Sequence, residues 1–106
     1  MFGRQVTLKL KANSATELNR IAADEILPIL RKQKGFRDET TFIAAEGLDA
    51  IANSFWDTKA DAEAYGHTAY AEVLKTLSNV IDGTPTVKNF EFASSTREQV
   101  AVSKLV

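Results

Sequence analysis

Gln5-Val6-Thr7-Leu8-Lys9-Leu10-Lys11 alternates polar and apolar side chains without a break. A strand repeats every two residues, so Val6, Leu8 and Leu10 share one face and Gln5, Thr7, Lys9 and Lys11 the other. One face suits a core and the other suits water. Asn13-Ser14 ends the run, and Ser14 with Glu17 has the spacing of a capping box that opens a helix. That helix is expected over residues 15–34, with Leu18, Ile21, Ala22, Ile26, Ile29 and Leu30 near one side. Gly35 fits its C-terminal stop, because glycine takes positive φ without strain. Pro28 lies inside the pattern and deletes one backbone N–H. A kink between Asp24 and Pro28 is expected, with a break into two short helices as the alternative.

Residues 36–46, rich in Thr, Phe and Ile, read as a second strand. Glu46-Gly47-Leu48-Asp49 is a short link to a third strand over 50–56, and short links favour an antiparallel hairpin. Thr58 with Asp61 opens a second helical region. Gly66 is expected to split it into a short helix and a longer one, with Thr68 as the second cap. The longer helix carries Tyr70, Val73, Leu74, Leu77 and Ile81, the clearest amphipathic stripe in the chain. Asp82-Gly83-Thr84-Pro85 is expected to stop it. Residues 86–93 follow as a fourth strand with Phe90 and Phe92 on one face. The tail, 94–106, is polar and then semi-alternating through Val100, Val102 and Val106. It adds an edge strand to this copy or a neighbouring one, or is loosely held.

The chain has 106 residues, which suits a single domain over 1–106 with its core over about 4–93. With 44% hydrophobic and 25% charged residues it is not a disordered chain. Thirteen basic residues against fourteen acidic ones give no cationic excess for nucleic acid. The longest basic cluster, Arg31-Lys32-Gln33-Lys34, sits where cations favour the end of a helix. With no cysteine, disulfides, thiolate nucleophiles and thiolate metal sites are excluded. No segment has the length or apolarity of a membrane span or a signal peptide, so a cytoplasmic location is expected.

The order β-α-β-β-α-β is the split βαβ plan, an α+β ferredoxin-like fold. It gives a four-stranded antiparallel sheet with both helical regions on one face. On the third strand either Ile51, Asn53 and Phe55, or Ala52, Ser54 and Trp56, must then lie on the helix-free side. A bulky apolar patch there marks an interface. Sheet-to-sheet pairing into a homodimer is the expectation.

Leu27-Pro28, Gln33-Lys34-Gly35-Phe36, the run from Ser54-Phe55-Trp56-Asp57-Thr58 to Glu63-Ala64-Tyr65, and Pro85 before the last strand carry a likeness to a known family. In order and spacing, over residues 6–93, the chain resembles the antibiotic biosynthesis monooxygenases. The resemblance implies a dimeric α+β barrel with a pocket between sheet and helices in each subunit. Some members oxygenate aromatic polyketides with O2 and neither metal nor flavin; relatives degrade haem or quinol-like compounds. The haem-degrading triad of Asn, Trp and His has no counterpart here, since its matching positions hold Val6 and residues near Gly66 and Thr76.

Five residues are pocket candidates. Trp56 aligns with the family's tryptophan and borders a pocket or packs the strand end under the next helix. Tyr65 stands where many relatives carry a histidine, and a phenol is a hydrogen-bond donor rather than a base near neutral pH. Ser54 shares Trp56's face, where relatives often carry an acid; with Ala52 it leaves a hollow or lets a helix pack closely. Tyr70 lies on the helical stripe, with core packing its default use. His67 is the one histidine, facing inward only if Gly66 breaks the helix. No metal site is expected around one histidine without acidic company.

The expected function is binding of a small apolar or aromatic molecule. Cofactor-independent monooxygenation of an aromatic or quinol-like compound is its catalytic form, and a non-catalytic ligand-binding or assembly protein is the alternative. An isomerase or lyase would need His67 turned inward beside Asp61 or Glu63.

Overall fold

A computed structural model of the chain describes residues 1–93. The strands are β1 (Phe2–Leu10), β2 (Phe36–Ile43), β3 (Asp49–Trp56) and β4 (Ile81–Glu91), paired in the order β2-β3-β1-β4. All three pairings are antiparallel. The helices are α1 (Ala15–Ile21), α2 (Leu27–Arg31), α3 (Lys59–His67) and α4 (Tyr70–Leu77). This is the ferredoxin-like α+β arrangement, with the helices on one face of the sheet. The strand expected in the tail, 94–106, lies outside the described residues.

The alternation in β1 sorts its side chains as expected: Val6, Leu8 and Leu10 are buried while Thr7 and Lys9 are exposed. Val6 stands opposite Ala52 and Arg4 opposite Ser54, so on β3 the set Ala52, Ser54 and Trp56 faces the helices. Leu18, Ile21 and Leu30 from the first helical region close the core, with Ala62, Tyr65, Val73 and Leu77 from the second.

The first helical region changes its hydrogen-bonding pattern just ahead of Pro28. Proline cannot give an N–H to the residue four back, and the chain widens to a π-helical turn over Ala22–Ile26 between α1 and α2. Three local expectations are corrected. The capping box does not form: Ser14 makes no side-chain bond at the helix start, because Glu17 instead binds the Arg20 guanidinium at 2.7 and 3.0 Å. Gly35 has its positive φ, +79°, but in the turn entering β2, while the helix already ends at Arg31. Gly66 stays inside α3, and the break falls at Thr68-Ala69. There the Thr68 hydroxyl donates to the Ala64 carbonyl at 2.7 Å and competes with continued helix.

The stripe is shorter than its periodicity suggests. α4 ends at Leu77, and Ile81 opens β4 opposite Leu10. Gly83-Thr84-Pro85 therefore lies within the strand, where the β1–β4 register shifts between Thr7 and Lys9. An edge strand tolerates a proline at such a bulge because no inner ladder bond is lost. Thr58 does cap α3, its hydroxyl accepting the Asp61 N–H at 3.1 Å.

Candidate functional site

Strand register sets a polar row across the inner face. Glu39 pairs with Ser54, Ser54 with Arg4, and Arg4 with Asn89, one residue from each strand. Above this row the sheet is apolar, with Val6, Leu8 and Ala52. Below it Trp56 is fully buried. The helices do not fill the space over the row. A cavity of about 50 Å³ remains.

Its floor is Val6, Leu8, Ala52 and Ser54, and its roof is Leu18, Ala22, Ile26, Leu30, Val73 and Leu77. The π-helical turn supplies Ala22 and Ile26. Glu39 and Thr41 stand at the β2 side, and Arg4, Tyr65 and Tyr70 toward the α3–α4 side. The lining is thus mostly apolar, with charge confined to its two ends.

Arg4 is 7% exposed, a rare burial for a guanidinium. The four ion pairs among the described residues all lie elsewhere. Two aromatic faces receive it instead: the guanidinium carbon is 4.0 Å from the Tyr70 ring centre and 5.2 Å from that of Tyr65. Gly66 leaves room on its other side, with Nη2 3.5 Å from where a Cβ would stand. Burial pushes the Tyr65 hydroxyl well up from the ordinary phenol value and raises that of Tyr70 too, in both against the pull of Arg4. Both are therefore neutral donors at physiological pH.

Burial also raises the Glu39 carboxyl above its ordinary 4.5, with Asp38 adding repulsion, while the Thr41 hydroxyl donates to it at 2.6 Å and opposes the rise. Glu39 forms part of an outer groove as well, together with Arg31, Arg37 and Asp38. It stands at the boundary between cavity and surface.

Of the five residues read from sequence, Ser54, Tyr65 and Tyr70 meet in the cavity wall. Trp56 lies behind them. Its Nε1–H donates to the Ser54 hydroxyl at 2.9 Å, and its ring stacks on Tyr65 at 5.0 Å and meets Phe36 edge-on at 5.6 Å. With its one donor used, the indole serves the cavity by holding Ser54 and Tyr65 in place. His67 is exposed in an open cleft between α3 and β4 that also holds Glu63 and one side of Arg4, and it does not line the cavity. Among the described residues no group of three or more His, Asp or Glu stands close enough to hold a metal ion.

Arg4 and Glu39 were not singled out from the sequence. The signal for Arg4 was present: it lies two residues before Val6, in step with the buried face. Glu39 is in step with Thr41 and Ile43, but a register shift between Phe36 and Asp38 obscures its face.

No protein-family model matches the sequence, and no curated protein matches it. Solved structures do. The monooxygenase from the gene ActVA-Orf6 of Streptomyces coelicolor, in complex with nanaomycin D, is 17% identical with a TM-score of 0.76, covering 92% of each chain. SnoaB, a cofactor-independent oxygenase from Streptomyces nogalater, is 12% identical with a TM-score of 0.71, over 92% of this chain and 97% of its own. A Bordetella bronchiseptica protein assigned to the antibiotic biosynthesis monooxygenases is 10% identical with a TM-score of 0.74, over 88% and 97%. At such identities the likeness is one of fold, and the chain folds as the antibiotic biosynthesis monooxygenases do.

Proposed function

We propose that this protein binds a small, largely apolar aromatic compound in the cavity between helices and sheet, and oxygenates it with O2 and no cofactor. The observation that carries the reading is the cavity itself: apolar walls closed at one end by a cation and two neutral phenols. An aromatic methylene compound or quinol that loses a proton there becomes an electron-rich anion. It can pass one electron to O2, recombine to a peroxide and expel water. For a methylene the balance is CH2 plus O2 giving C=O plus H2O, with all four electrons drawn from the substrate. The protein's share is orientation, exclusion of water, and donors toward the developing oxyanion. Tyr65 and Tyr70, in the cavity wall, are the proposed donors.

The cavity as it stands is smaller than a ring needs. An apolar cavity of about 150 Å³ admits benzene, so a ligand must part the walls about threefold in volume. Tyr70, half-buried at the start of α4, and the π-helical turn are the parts of the wall proposed to move. A second copy of the chain completes the proposed molecule by covering the helix-free face. The absence of cysteine suits a reducing compartment such as the cytoplasm.

The test is O2 consumption with a panel of anthrones and quinols, read beside quenching of the single tryptophan. Turnover of at least one compound is expected, falling about tenfold or more in a Tyr65→Phe variant. Binding without O2 uptake across the panel would instead establish the non-catalytic ligand-binding protein. Absence of both would remove the ligand reading.

A further inference from the structure

The helices stop short of β4. Arg4 and Val6 of β1 are buried beneath them, whereas their partners in register, Asn89 and Val87, are exposed on the same face. An open cleft of about 300 Å³ lies between these two β4 residues and one face of α3, on which Lys59, Ala62, Glu63, Gly66 and His67 recur at helical spacing. Arg4 borders the cleft as its buried member, 7% exposed. A Cβ on Gly66 would stand 3.5 Å from its Nη2 and 3.6 Å from its Nε. With no side chain at Gly66, the guanidinium edge that carries these two nitrogens is left open toward the cleft. None of the four ion pairs among the described residues includes Arg4, although Glu63 lines the same cleft and Glu91 lies two residues beyond Asn89. The rings of Tyr65 and Tyr70 that cover it are neutral.

We propose that this cleft binds a small monocarboxylate with an apolar body, its carboxylate on the Nε–Nη2 edge of Arg4 beside Gly66 and its body against Ala62 and Val87. The inference is independent of the cavity reading, because it uses the other side of Arg4. That edge of a guanidinium offers two parallel N–H bonds, which match the two oxygens of a carboxylate. Asn89 stands opposite Arg4 in the ladder, with Cβ atoms about 5 Å apart, and adds a neutral amide donor on the same face. Lys59 adds a cation at the rim. Charge decides which anion fits. Glu63 offsets one of the two permanent cations and leaves one in excess, enough for a carboxylate but short of what a phosphate dianion requires. A guanidinium buried without a counter-charge is costly, and a carboxylate from outside supplies the missing partner.

Titration of the intact, isotope-labelled protein with benzoate at low ionic strength, followed by NMR, tests this. Benzyl alcohol, the same ring without the charge, and inorganic phosphate are the comparison probes. Benzoate should bind saturably in the millimolar range, moving the Arg4 Nε–H, the Gly66 amide and the Asn89 side-chain amide. Benzyl alcohol should leave all three signals in place. Glu63→Gln, at the surface, should tighten benzoate binding about threefold, and Lys59→Gln should loosen it by a similar factor. Gly66→Ala sets a methyl group where the carboxylate would lie and should weaken binding about tenfold. Unchanged affinity in both Glu63→Gln and Gly66→Ala overturns the proposal, as does a wild-type protein that takes up no benzoate. Benzoate that instead shifts the methyl groups of Val6 and Ala52, together with benzyl alcohol, has entered the interior cavity and also overturns it. Phosphate bound more tightly than benzoate at the Arg4 Nε–H would overturn the carboxylate assignment. Failure of anthrones and quinols to bind would remove the cavity reading and leave the benzoate result standing.

Discussion

Arg4 gains no carboxylate for its burial, and Glu39 gives up the water its charge prefers. For Glu39 the consequence can be read in stability. Its folded-state carboxyl titrates above 4.5 because burial disfavours the anion. Below 4.5 both folded and unfolded chains carry the proton, and no penalty exists. As pH rises from 4.5 to the raised value, the unfolded chain ionises first, so the folded chain holds more protons and stability falls. Above the raised value the loss is complete. Glu39→Gln carries no such charge. Its thermal midpoint should match the wild type at about pH 4 and exceed it by a few degrees at neutral pH. A variant no more stable than wild type at neutral pH would show that Glu39 is solvated in the folded protein. Of the two tyrosines of this wall, Tyr70 was legible from its place on a helical stripe and Tyr65 from its place in the family resemblance. Arg4 and Glu39 were not, because a charged residue in a strand reads first as a solvated one. Only the register that puts Glu39, Ser54, Arg4 and Asn89 in one row brings the two charges to one cavity.

Element order came through the sequence well, since period-2 alternation in β1, the Gly47 turn and the Thr58 cap are local signals with local causes. Boundaries that depend on competition between distant partners did not. Ile81 continues the helical stripe in sequence, yet pairing with Leu10 draws it into β4. Gly66 looked like a break, yet a helix interior accepts glycine at modest cost, and the Thr68 hydroxyl ends α3 instead. Two glycines should therefore answer oppositely to the same change. At Gly66, φ is ordinary and a new Cβ would meet the Arg4 side chain at 3.5 Å, a normal contact. Gly66→Ala should stabilise by about 0.5–1 kcal/mol through helix propensity. At Gly35, φ is +79° and a Cβ would fall 2.1 Å from the Asp61 carboxylate in the first turn of α3. Gly35→Ala should cost about 1–3 kcal/mol from backbone strain alone, before that contact is counted. Urea unfolding of both variants checks the contrast, and a destabilised Gly66→Ala would mean that α3 needs glycine to seat Arg4.

Helices cover the inner face only, and the outer face carries exposed aromatic and aliphatic side chains among polar ones such as Gln5, Asn53 and Lys88. Phe42 is 62% exposed and Phe90 49%, with Ile51 between them on the same side. Phe55, Gly3 and Phe90 form one row across β3, β1 and β4, and the missing side chain at Gly3 makes a groove between two rings. A ridge on an identical sheet can enter that groove, and two such faces packed together bury their aromatic residues at about 10 Å sheet spacing. A chain of 11.6 kDa gains much from this, because small domains bury a low share of their own surface. Light scattering should give twice the chain mass at micromolar concentration. Ile51→Glu combined with Phe90→Glu should halve it, since buried like charges facing each other across a two-fold interface cannot pair. The helices and the cavity lie on the opposite face, so the monomer so produced should keep the tryptophan quenching by anthrones expected of the wild type. A wild-type mass of one chain at every concentration would leave Phe42, Ile51 and Phe90 in water. A dimer that survives both glutamates would instead place the contact on the β2 or β4 edge, where unpaired backbone groups offer the alternative way to join two sheets.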